Sequence, residues 1–231
     1  YGDGGSNNIK HPELGHHLKS FLGTIMRIDP AGNNSQNGKY GIPATNPFVN
    51  EKDPMTVKEI YAYGFRNPHH IAWDNANGNR MIATDIGEAN IEELNIIVNG
   101  GDYGWPSREG DYGIATLRDM KTVFKLGKND LDLYRRPFAQ YDHEEGNAIS
   151  GGYIYEGDLA PLKSKYIFGD IVNGRMFFVN IDRQLADSTV YELAITQKGK
   201  ETTFQELCKT KRLHLRVAYD RYNKQLYFIT K

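Results

Sequence analysis

Apolar residues along the chain fall in short β-rich runs rather than at helical spacing. The runs are GTIMRID (23–29), EIYAYGF (59–65), RMIATDI (80–86), ELNIIV (93–98), GGYIYEG (151–157), KYIFGD (165–170) and RMFFVNI (175–181). VYELAI (190–195), LHLRVAYD (213–220) and QLYFIT (225–230) follow. Branched and aromatic side chains pack well on a pleated surface, and polar turns such as NANGN and VNGGD part many of the runs, as in antiparallel hairpins. DPMTVKEIY (53–61) is the best helix candidate, and its end merges into a strand.

One internal similarity organises the pattern. IAWDNANGNRMIATD (71–85) and VAYDRYNKQLYFITK (217–231) share an apolar-Ala-aromatic-Asp start, a polar turn and an apolar strand reaching Thr. Their starts lie 217 − 71 = 146 residues apart, about three units of the ~40–50 residues that a propeller blade takes. The period favours an all-β propeller over a sandwich, with roughly five blades at most in a chain of this length.

Composition narrows the function classes. The 231 residues suffice for one large domain or two small ones, and 24 Gly with 15 Tyr suit a turn-rich β protein. A net charge of −1 gives no footprint for nucleic acid or an anionic membrane. The single Cys208 excludes an internal disulfide framework and a cysteine-based zinc site. No apolar run approaches the roughly 20 residues of a membrane span. YGDGGSNN lacks an initiator Met and a signal peptide and reads as the end of a strand, so a fragment or the mature part of a longer protein is expected.

Several residues could carry chemistry. Asp85, Glu88, Glu92, Glu93 and Asp102 crowd around the run that ends in Asn-Gly-Gly. They suit either a polar turn or a hard cation such as calcium. The pairs His16-His17 and His69-His70 read as structural or surface groups, because neighbours on a strand point to opposite faces. In YGFRNPHH, Pro68 biases Asn67 toward an extended strand end, and Arg66 offers a planar fork of donors. That arginine fits a ligand anchor or a buried structural cation equally well. GDGG (2–5) lacks the spacing of a phosphate cradle and reads as a turn at a blade end, with Asp3 as its one candidate functional side chain. His143 precedes a turn and fits a base or a packed ring.

GDGG, LGTIMRIDP, IPATNPFV, EIYAYGFRNP, DIGEANIEELNII, GGDYGWPSREG, GGYIYEG and YIFGDIVNGRMF occur in the order found in the glucose/sorbosone dehydrogenase family, which the chain resembles over nearly its whole length. The resemblance implies a six-bladed β-propeller, incomplete here because its N-terminal blades are missing, with residues 1–231 as a partial propeller domain. It further implies a periplasmic or extracellular sugar dehydrogenase that uses pyrroloquinoline quinone (PQQ) and calcium. Such an enzyme oxidises the anomeric carbon of an aldose and passes electrons to an acceptor such as a cytochrome. A second branch, similar to hedgehog-interacting proteins, keeps the propeller as a non-catalytic module that binds a glycan or protein, and the DIGxxxxEE and FGDxxxGR forms look more like that branch.

Matched position by position, Arg66 and Asn67 are implied to face the quinone, and Asp3 to steady a catalytic histidine placed before Tyr1. Gly87 and Glu88 fall where two backbone carbonyls hold the active-site calcium, while Glu93 and Tyr103 match ligands of a second, structural calcium. The sequence departs from the pattern in three respects. Ile86 replaces a glutamine, a lysine is replaced at about Val172 with Arg175 nearby, and where the enzymes carry an Arg-x-Arg pair near the C-terminus this chain has Arg212, His214 and Arg216, which are not an obvious match.

Overall fold

The structure, a computed structural model, describes residues 1–5, 15–116 and 119–230, so His11 and Lys231 (the end of the second repeat copy) lie outside the described residues. The chain forms two compact units, one of Tyr1–Pro68 with Ile97–Arg136 and the other of His69–Ile96 with Pro137–Lys231.

In the first unit, Thr24–Met26 pairs antiparallel with Ile60–Tyr63. Alternation along these strands buries Ile25, Ile60 and Ala62, and Phe65 beyond them stacks on Tyr103 with ring centroids 4.4 Å apart. Buried Asn46, from the IPATNPFV motif, ties the long connection together. Its side chain accepts from Arg27 Nε at 2.8 Å and donates to the carbonyls of Arg27 and Lys58 at 3.0 Å each. One polar side chain thus satisfies strand-end groups that would otherwise lack partners. The segment 53–61 is not a helix. Asp53 Oδ1 takes the Met55 amide at 2.9 Å and its carbonyl takes the Thr56 amide, which closes a turn before the strand Ile60–Tyr63. An aspartate before proline competes for local amides in this way, and the β-branched residues beyond it suit a strand. A three-stranded sheet of Arg108–Glu109, Tyr112–Thr116 and Asp119–Lys125 packs Ile114 and Met120 with Trp105.

The second unit carries two four-stranded sheets. One has the order Pro68–Asp74, Arg80–Asp85, Ile91–Ile97, Ala139–Asp142. The other is Ile149–Ile154, Lys165–Asp170, Met176–Asn180, Tyr191–Glu192, with antiparallel pairing throughout. Hairpins Ile195–Gln197/Lys200–Thr202 and Arg216–Asp220/Gln225–Ile229 complete it. The strand Lys165–Asp170 shows why its run is apolar on both faces. Tyr166 and Phe168 enter a core with Ile82, Leu94 and Phe177, while Ile167 enters another with Tyr155, Met176 and Leu215. A sheet covered on both sides requires this near-continuous hydrophobicity, with successive residues facing opposite ways. The short helix Phe204–Cys208 begins with a capping box, Thr203 accepting from the Glu206 amide and Glu206 returning the bond to the Thr203 amide.

Candidate functional site

Within the first unit the fold joins residues that are 63 positions apart in sequence, 66 − 3 = 63. The Asp3 amide donates to the Arg66 carbonyl at 2.7 Å, which fixes the GDGG turn against the strand end that carries Arg66 and Asn67. The approach is close: a Cβ on Gly2 would lie 3.1 Å from Asn67 Oδ1 and 3.3 Å from the Arg66 carbonyl oxygen. Asp3 is buried. One carboxylate oxygen accepts from the Gly5 amide at 2.9 Å and the other from Trp105 Nε1 at 3.1 Å. A charge taken from water needs such donors, and here they hold its orientation. Arg66 and Asn67 are half-buried. Nothing in the sequence pattern linked Trp105 to Asp3; the pairing arises because the loop after Tyr103 folds back, with the Trp105 amide donating to the Gly64 carbonyl.

Tyr103 is buried in the same unit, and its hydroxyl accepts from the Val98 amide at 3.0 Å. Burial, the larger cause, pushes this phenol up to about 12, so it is a neutral oxygen at physiological pH. His16 Nε2 sits 2.8 Å from Asp102 Oδ1, which also accepts from the Gly104 amide. That places one member of the His16-His17 pair in a structural hydrogen bond.

The second unit holds the remaining candidates. Gly87 is buried, Glu88 is half-buried and Ile86 packs into the main core. Glu93 is buried, and its Oε2 accepts from Asn95 Nδ2 at 2.9 Å. Val172 occupies the turn of FGDIVNGR, where its amide donates to Asp170 Oδ1 at 2.8 Å and its carbonyl accepts from Gln205 Nε2. Arg175 grips Glu192 through Nε and Nη2 at 2.9 and 2.7 Å. His69 and His70 are internal rings rather than ligands of a shared ion. Desolvation, the first cause for each, holds both below the ordinary imidazole value.

Two acids organise the loops here: Glu92, which the sequence places in the crowd of five acids, and Asp170, which it does not single out. Glu92 is fully buried, with Oε1 2.8 Å from His143 Nε2 and Oε2 accepting from the Ile149 amide at 2.9 Å. Burial raises its pKa despite the histidine and amide contacts, and the negative charge of Asp170 adds to the rise. The Tyr141 hydroxyl is also buried, with no hydrogen-bond partner among the described residues. Asp170, fully buried, accepts from four backbone amides, those of Asn147, Ala148, Val172 and Asn173, at 2.5–2.8 Å.

Comparison with known proteins follows the same lines. The family model described as Glucose / Sorbosone dehydrogenase matches residues 2–212. The HIPL2 protein of Arabidopsis thaliana is 30% identical over 191 residues, covering 76% of this chain and 26% of the relative. Quinoprotein glucose dehydrogenase B of Acinetobacter calcoaceticus is 32% identical over 166 residues, 69% of this chain and 30% of the relative. Among solved structures, the apo-form aldose sugar dehydrogenase of Escherichia coli aligns with a TM-score of 0.66 at 19% identity, over 95% of this chain and 54% of that one. The likeness shows the fold, a β-propeller, of which this chain spans about half.

Proposed function

The chain belongs to the glucose/sorbosone dehydrogenase family, and on that premise we propose that the protein is a PQQ-dependent sugar dehydrogenase. In this reading residues 1–231 form part of one propeller domain, which acts in the periplasm or outside the cell. The observation that supports it most is the junction of buried Asp3 with Arg66 and Asn67, made through the 2.7 Å backbone bond and the close approach of Gly2. A quinone supplies a carbonyl able to take a hydride from the anomeric carbon of an aldose, and the electrons leave to an acceptor such as a cytochrome.

The residues of this chain fit the binding part of that task. Arg66 presents a rigid fork of donors for a carboxylate or quinone oxygen, and Asn67 adds an amide that both donates and accepts. A cation beside a quinone oxygen favours the negative charge that develops there. Asp3, held by Trp105 and Gly5, positions the turn, and in this reading its carboxylate would orient the histidine that the family resemblance implies. Calcium prefers oxygen ligands. Among the described residues no three His, Cys, Asp or Glu side chains gather into a metal-binding group. In this reading the backbone carbonyls of Gly87 and Glu88 would hold one calcium ion, and Glu93 and Tyr103 would be ligands of a second. No described helix is long and apolar enough to cross a membrane.

A second reading, a non-catalytic propeller that binds a glycan or protein, is favoured by Ile86 and Val172. Both place apolar side chains where the resemblance implies a glutamine and a lysine. Titration of the full-length protein with PQQ, followed by dye reduction across an aldose panel, separates the two. The enzyme reading expects saturable quinone binding that weakens at least tenfold in Arg66→Ala and not in Lys128→Ala. Absence of both quinone binding and dye reduction overturns it in favour of the binding module.

A further inference from the structure

We propose that a cleft in the first unit, between residues 34–40 and 54–59, binds a neutral saccharide. Its volume is about 700 Å³, within the size range of small-molecule sites. It is built from residues other than Asp3, Arg66 and Asn67. The floor is apolar and open: Phe21 is 44% exposed and Met55 63%, with Tyr40 beside them. Exposed aromatic and thioether surface in a concavity is costly to leave wet, and a pyranose ring offers a matching C–H face.

The polar groups around that floor are fixed yet have unused capacity. Asn37 Oδ1 accepts from Ser35 Oγ and from the Lys39 amide, both at 3.0 Å, so the plane of its side-chain amide is set. Its NH2 group has no partner among the described residues. Glu59 Oε1 accepts from the Tyr40 hydroxyl at 2.7 Å, and this bond raises the pKa of the phenol. The other Glu59 oxygen still has acceptor capacity, and the Lys58 ammonium is a further donor without a partner among the described residues. A donor amide and an acceptor carboxylate held in one cleft suit adjacent sugar hydroxyls, each of which gives and receives a hydrogen bond. Lys58 and Glu59 contribute opposite charges that cancel. That balance favours a neutral ligand over a phosphorylated or acidic one.

The test is an amide NMR titration of the full 15N-labelled chain with glucose, cellotetraose and maltotetraose in turn. Saturable shifts are expected at Asn37, Gly38, Tyr40 and Lys58 with at least one of the three. Binding should weaken at least tenfold in Phe21→Ala and Asn37→Ala and stay unchanged in Lys128→Ala. If either cleft variant loses its native spectrum, the exposed Gln36→Ala replaces it, with at least threefold weakening expected. No saturable shift in the cleft with any of the three sugars, or equal affinity in the cleft variants, overturns the proposal. The site does not rest on the dehydrogenase reading: cleft binding by a protein that neither binds quinone nor reduces dye leaves it standing.

Discussion

Removing the hydrogen bond between Trp105 and Asp3 should cost far more than removing an indole N–H at the surface. Trp105 is 3% exposed and Asp3 5% exposed, and the bond is 3.1 Å long. Trp105→Phe keeps an aromatic ring against Ile114 and Met120 but strips a donor from a buried carboxylate. A hydrogen bond to a charged group contributes about 1.5–3 kcal/mol. The smaller ring also leaves apolar area unfilled, on the order of 1 kcal/mol at ~25 cal/mol per Å². The total is therefore about 2.5–4 kcal/mol. A double-mutant cycle isolates the polar part, since the packing loss is common to both arms. Trp105→Phe, Asp3→Ala and the double variant would be unfolded in urea and followed by far-UV circular dichroism. A coupling energy of about 1.5–3 kcal/mol is expected. Coupling below about 0.5 kcal/mol, the usual scatter for independent sites, would refute the idea that Trp105 holds Asp3 in place.

Two further outcomes follow from the second unit. Arg80 caps fully buried Asp74 through Nε at 2.9 Å and reaches the carbonyls of Asp182 and Arg183. Arg80→Ala should therefore cost roughly 3 kcal/mol, the low end for a broken buried pair because Arg80 is partly exposed. At about 2–4 °C per kcal/mol, calorimetry should show Tm falling by about 6–12 °C, and a fall under about 3 °C would count against the pair. His69 and His70 are held below the ordinary value of 6.5, first by burial, and His69 Nδ1 and His70 Nε2 lack partners among the described residues. The unfolded chain then binds more protons than the folded one as pH falls below 6.5. Their contribution to stability is present above that pH and is lost on acidification toward the depressed folded values. Urea midpoints at about pH 7.5 and 5.5 should differ by less in His70→Gln than in the unsubstituted protein, and an unchanged difference would remove His70 from the account.

Much of the sheet content was legible because alternation and β-branched runs act locally. KYIFGD at 165–170 coincides with the strand Lys165–Asp170, and QLYFIT with Gln225–Ile229 to within a residue. Tyr112–Thr116 and Asp119–Lys125 carry polar residues on exposed faces and gave no comparable signal. The helix Phe204–Cys208 was missed although Thr203 and Glu206 spell a capping box, a cue present in the sequence. At the candidate site, Arg66, Asn67 and Asp3 could be named from motifs. Their junction could not, because it depends on a backbone bond between segments far apart in sequence. The roles of Glu92, named only within a crowd of five acids, and of Asp170, not named at all, were illegible for another reason. An acid in a strand run looks like a solvated charge until its burial is known, and both are fully buried.

Asp170 couples two connections of this chain to each other. Its carboxylate is shared between the connection leaving Ala139–Asp142 and the turn leaving its own strand, with two amides taken from each. Neither connection can lengthen or change course alone without surrendering its half of the carboxylate. A change in one must be answered by a compensating change in the other. In this chain the two loops therefore behave as a single mechanical part, and lengthening one should disturb the other through the shared carboxylate.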